Sequence, residues 1–114
     1  MEANEKRRSE RKEVVLQASM SRDGVSWSST EMDIRTLNMS KGGALITAPE
    51  LLVPGENCTI TVTKPNGGYG SIPVRVVWSE KQANGNYLVG VAFRNLSPDE
   101  QYLVDLNLVR GKQI

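Results

Sequence analysis

GNYLVGVAFRNLSPDE, residues 85–100, carries one periodicity into another. Tyr87, Val89, Val91 and Phe93 recur at every second position, the spacing of a strand that buries one face. Ser97-Pro98-Asp99-Glu100 then reads as a helix start. It has a serine cap, proline at the first helical position, and a glutamate placed to return the cap's hydrogen bond. Leu103, Leu106 and Val109 follow at helical spacing, and Gly111 is a stop. This segment predicts a closing strand that leads into a terminal helix over about 98–110.

Working back toward the N-terminus, the period stays at two. Asn84-Gly85 before the closing strand is hairpin chemistry, because both turn positions tolerate positive φ. On its far side Ile72, Val74, Val76 and Trp78 form another inward series, which reads Trp78 as a core or barrel-end residue. Lys64 to Gly68 connects that strand to one in which Cys58, Ile60 and Val62 alternate with Thr59, Thr61 and Thr63. Pro49 to Glu56 reads as a loop with Pro54-Gly55 at its turn, preceded by the short apolar run Ala44-Leu45-Ile46. Met32 and Ile34 oppose Glu31, Asp33 and Arg35, a strand with one wet face. Ser21 to Ser29 is loop-like, and Val14, Leu16, Ala18 and Met20 share the face of a first strand.

Six short strands joined by tight turns pair antiparallel, and six of them with one apolar face favour a small closed barrel. The expected fold is all-β with a terminal helix laid across the barrel. Residues 1–12 are charged and lack apolar periodicity, so they are read as a mobile arm, and residues 13–114 as the barrel domain. There is no internal repeat and no second domain.

Composition excludes several functions. The 114 residues suffice for one core without staples. Lys and Arg total 14 against 13 Asp and Glu, so the net charge of +1 argues against a polymeric nucleic-acid partner. With no histidine, neither a Ser-His-Asp nor a Cys-His nucleophile system is available, nor a His-based zinc site. Carboxylate chemistry stays open in principle, but no acidic pair stands in a setting that suggests it, so the chain is expected to hold no metal and not to be an enzyme. Cys58 is the single cysteine and is compatible with a reducing compartment. No apolar run approaches the ~20 residues of a membrane span. MEANEKRRSERKE has no apolar signal core, so a cytoplasmic protein without membrane insertion is expected.

Two motifs remain. Arg7 and Arg11 stand four residues apart, flanked by Lys6 and Arg8. A guanidinium binds phosphate, or the O6 and N7 atoms of guanine, through two parallel hydrogen bonds, and it stacks flat on a purine. Alone, such a run is a solvated tail. The second motif is Asn38-x-Ser40-x-x-Gly43 between two strands. Its amide and hydroxyl suit either a turn or a ligand loop, and its glycine permits close approach.

An RxxxR arm, a strand, and then [Asp/Asn]-x-Ser-x-x-Gly, in that order, resemble the PilZ family. The similarity continues through LLVPGENCTITV, IPVRVVW and GNYLVGVAFRNLSPDE. The resemblance implies a six-stranded PilZ-type barrel that binds cyclic diguanylate (cyclic di-GMP). Arg7 and Arg11 would contact guanine and phosphate, Asn38 and Ser40 would hydrogen-bond guanine, and Gly43 would shape the loop. Lys6 and Arg8 would add charge, and Trp78 could flank a base. The arm would order over the ligand and present a new surface to an unidentified downstream protein in motility, exopolysaccharide and biofilm, or virulence control. The protein would be a monomer or a ligand-sensitive homodimer. Two rival readings are a PilZ-like adaptor that no longer binds the nucleotide, and a barrel that binds single-stranded nucleic acid through aromatic platforms.

Overall fold

The computed structural model describes residues 11–23, 31–64 and 66–113. In chain order the elements are β1 (Lys12–Glu13), β2 (Gln17–Arg22), β3 (Glu31–Met39), β4 (Gly43–Ala48), β5 (Asn57–Thr63), β6 (Tyr69–Lys81), β7 (Tyr87–Phe93), α1 (Pro98–Arg110) and β8 (Lys112–Gln113). The six long strands run in the spatial order β2-β5-β6-β7-β4-β3, and β2 pairs with β3 to close the barrel. Every pairing is antiparallel. The two-residue strands β1 and β8 were not expected. They extend the sheet beyond β3, Lys12 facing Met39 on one side and Gln113 on the other.

The inward face is the apolar one that alternation implies. Met20, Ile34, Ile46, Ile60, Ile72, Val74 and Val89 are buried in the barrel, each contributing roughly 1.5–3 kcal/mol through removal from water. Between β1 and β2 the alternation of Val14 and Leu16 survives without a ladder. Thr36, itself buried, donates its hydroxyl hydrogen to Val14 O at 2.5 Å and accepts from Leu16 N at 2.9 Å. One side chain thus satisfies two backbone groups where strand pairing lapses. At the other end of β2, Arg94 donates from Nε to Val74 O at 2.9 Å and from Nη2 to Asp23 at 2.7 Å, tying that loop to β6.

The helix starts as expected. Glu100 N donates to Ser97 Oγ and Ser97 N to Glu100 Oε1, a complete capping box with Pro98 in the first turn. Its packed side is different from the expected one. Leu103 and Val104 are buried and Leu108 packs against the core, whereas Leu106 is half-buried and Val109 is 77% exposed. Both sets have helical spacing, and the angle at which the chain leaves β7 selects between them. The Asn84-Gly85 turn also differs, since only Gly85 takes positive φ. Gln82 N donates to Asn86 O across a three-residue loop, a type I turn closed by a left-handed glycine.

Candidate functional site

Two strands carry an extra residue, and both irregularities act on candidate site residues. In β3, Thr36 pairs with Ile46 but Asn38 pairs with Leu45, so Leu37 is a bulge. Met32, Ile34 and Thr36 are buried, and unbroken alternation would send Asn38 inward after them. The bulge inverts the phase: Met39 enters the core and Asn38 turns to the outer surface. In β6, Val76 pairs with Val91 but Trp78 pairs with Gly90, so Val77 is a second bulge. It inverts the series Ile72, Val74, Val76 in the same way. Trp78 is consequently 41% exposed on the outside of the barrel, which corrects its reading as a core or barrel-end residue.

The two bulges lie at one level. Trp78 faces Gly90, Gly90 faces Leu45, Leu45 faces Asn38, and Asn38 faces Glu13. These five residues form one cross-strand row over β6, β7, β4, β3 and β1. Trp78 and Asn38 are three strand spacings apart, about 14 Å along the sheet. Gly90 lets the ring lie flat beside it, since a Cβ at that position would stand 2.3 Å from Trp78 Nε1 and would push the indole aside.

Arg11 completes the row from the β1 side, where its Nη1 donates to Asn38 Oδ1 at 2.5 Å. Arg11, Asn38, Leu45, Val77, Trp78 and Gly90 line one open cleft of about 310 Å³. Arg11 is the one charged residue among those lining it. A floor of aliphatic side chains and glycine backbone, an indole at one end and an amide with a guanidinium at the other suit a planar base attached to an anion. A larger groove, about 600 Å³, lies between α1 and the β5–β6 hairpin and contains none of the motif residues.

The remaining candidates are placed differently. Ser40 is buried, and its hydroxyl accepts from Gly42 N at 3.2 Å while its backbone N–H donates to Gly43 O at 2.8 Å. It holds the turn that follows Asn38. Gly43 has a steric role within the barrel, since a Cβ there would stand 2.1 Å from Val91 O across the ladder. Neither residue lines the cleft. Arg7, with Lys6 and Arg8, lies outside the described residues. Leu45, Val77 and Gly90 were not singled out from the sequence. The signal for them was the doubled valine Val76-Val77, which breaks alternation just before the tryptophan.

No metal-holding cluster of His, Cys, Asp or Glu occurs among the described residues. No helix among them is long and apolar enough to cross a membrane.

Comparison with curated proteins finds no significant match. Among solved structures, the PilZ domain of YcgR from Escherichia coli with c-di-GMP is similar at a TM-score of 0.67 and 15% identity, covering 91% of this chain and 88% of that one. The Bacillus subtilis inhibitor of motility MotI/DgrA is similar at 0.66 and 16%, covering 91% of this chain and 50% of that one. The K. pneumonia MrkH–c-di-GMP complex is similar at 0.68 and 14%, covering 90% and 51%. The chain thus spans about half the length of MotI and MrkH. At these identities the likeness concerns the barrel alone. The family model described as PilZ domain matches residues 5–108, and on that match the chain belongs to the PilZ domain family.

Proposed function

We propose that this chain is a receptor for cyclic di-GMP, and that the ligand lies on the outer barrel face between Trp78 and the Arg11–Asn38 pair. The observation that carries the reading is the guanidinium of Arg11 held on the amide of Asn38, at the rim of a cleft whose other end is an exposed indole. Cyclic di-GMP offers what these groups recognise: flat guanines with acceptor edges, and two phosphates. The similar barrels of YcgR and MrkH, both solved with c-di-GMP, support the assignment.

In this mechanism no bond is made or broken. Arg11 leaves or shares its contact with Asn38 to bind phosphate or the Hoogsteen edge of guanine, Arg7 supplies the second guanidinium, and Lys6 and Arg8 add charge. Asn38 donates to or accepts from a guanine edge. Ser40 and Gly43 keep the turn in the shape that presents Asn38, which for Gly43 is the role the family resemblance implied and for Ser40 a supporting role in place of the implied guanine contact. Trp78 stacks on a base. The arm orders over the ligand, and arm and ligand together form a surface for a downstream protein in the cytoplasm. The relative MotI is an inhibitor of motility by name, so motility control is the first output to examine, with biofilm and virulence control after it.

Isothermal calorimetry with cyclic di-GMP tests the proposal. Wild type should bind, and Asn38→Ala or the pair Arg7→Ala and Arg11→Ala should lose at least tenfold in affinity. Wild-type protein that releases no heat supports the adaptor reading, and undiminished binding by the arginine pair removes the arm from the site.

A further inference from the structure

Helix α1 carries apolar side chains on two sides. Leu103, Val104 and Leu108 face the barrel. Tyr102, Leu106 and Val109 form a second stripe, with Tyr102 63% and Val109 77% exposed and Leu106 half-buried. At 100° per residue this stripe occupies an arc of about 60°. Asp99 and Arg110, both exposed, lie on the same flank of it, within about 60–80° of Tyr102. That flank borders the groove of about 600 Å³ whose opposite wall is Lys64, Asn66 and Ser71. Among the described residues nothing covers the stripe, and the cyclic di-GMP cleft shares no residue with it.

We infer that this face of α1 is a docking surface for a second copy of the chain, with the two helices antiparallel about a two-fold axis near residues 105–106. Charge complementarity at the two ends of the face identifies the occupant. Asp105, on the opposite flank and bonded by Gln101 Nε2 at 3.0 Å, faces its own counterpart near the axis and is the one like-charge approach, which limits the affinity. A two-fold axis perpendicular to the helices brings each flank against the same flank of its partner. Asp99 lies about 10 Å from the axis toward one end and Arg110 about 7 Å toward the other, using 1.5 Å per residue. Asp99 of one copy therefore meets Arg110 of the other, twice over. The difference of about 3 Å is within the reach of an arginine side chain. In the same register Tyr102 packs on Val109, and Leu106 meets its own counterpart. A uniformly acidic or basic partner would meet a like charge at one end of this face, and a copy of the chain meets an opposite charge at both. The interface is small, so the association is weak and concentration-dependent.

Sedimentation equilibrium on the full chain, from roughly 10 μM to 1 mM, tests the inference. Wild type should rise from 12.6 kDa toward twice that mass. Asp99→Lys alone and Arg110→Glu alone should each weaken the dimer about tenfold or more. The double variant Asp99→Lys with Arg110→Glu should restore it, because the pairs re-form with their signs exchanged. Circular dichroism should show all three variants folded. A wild-type chain that stays at 12.6 kDa throughout means a different occupant for the face and overturns the proposal. So does a dimer indifferent to the single reversals, or a double variant that remains monomeric.

Discussion

Thr36 offers the sharpest test of how the barrel presents Arg11. Its hydroxyl is buried and bridges Val14 O and Leu16 N, in the three residues where β1 and β2 leave the ladder. Thr36→Val keeps the shape of the side chain and removes both hydrogen bonds. Each backbone group left without a partner costs about 1–3 kcal/mol, less for Leu16 because its surroundings are partly open, so the loss should total about 2–4 kcal/mol. Thr36→Ser keeps the hydroxyl and removes one methyl group, for about 1 kcal/mol. Urea unfolding should therefore rank the variants wild type, Ser, Val, the reverse of what a purely apolar site would give. Amide exchange should speed up at Leu16 in the Val variant before it does so in β5 or β6. A valine variant as stable as wild type, or a serine variant less stable than the valine one, would refute the reasoning.

The same contacts make further predictions. Gly90→Ala places a methyl group against the exposed indole of Trp78. Stability should fall by no more than about 1 kcal/mol, while tryptophan fluorescence shifts and calorimetric affinity for cyclic di-GMP drops. Gly43→Ala drives a Cβ into the carbonyl of Val91, which is backbone and cannot turn aside; thermal denaturation should show a loss beyond about 3 kcal/mol, or no folded protein. Burial pushes the Cys58 thiol up to about 11, helped by Glu56 and Asp23 and opposed by Arg22 and Arg94. The folded state then holds this proton after the unfolded chain has lost it. The neutral thiol's contribution is complete below about pH 9, and stability should decline between about pH 9 and 11, as urea titrations can follow. Cys58→Ser should flatten that decline.

Much of the architecture was legible because it rests on local chemistry. The Ser97–Glu100 cap, the alternation through β5, β6 and β7, and the Met32–Ile34 face each depend on a few neighbouring residues. The bulges at Leu37 and Val77 do not. The doubled valine Val76-Val77 was the one trace of the second bulge, and nothing around Leu37 announced the first. Without them, parity assigned Trp78 to the interior, and the row that joins it to Asn38 was hidden. The helix shows the same limit. Leu103, Leu106 and Val109 satisfy helical spacing as well as Leu103, Val104 and Leu108 do, and only the packing of α1 on the barrel distinguishes them. The bend was placed at the right point in the chain, but Asn38 belongs to β3 and Gly43 to β4, and pattern alone could not separate the outward-facing amide of Asn38 from the inward-held hydroxyl of Ser40.

The short pairing of β1 with β8 has a mechanical consequence. Lys12 and Glu13 are bonded to Asn38 and Met39 on one edge and to Gln113 and Lys112 on the other. A Cβ on Gly111, at the foot of α1, would stand 2.7 Å from the side chain of Val14. The peptide that bears Arg11 and the root of the helix therefore ride on one splice, two residue pairs long. Any ligand that draws Arg11 along the barrel wall pulls on the end of α1 as well, or else breaks the splice.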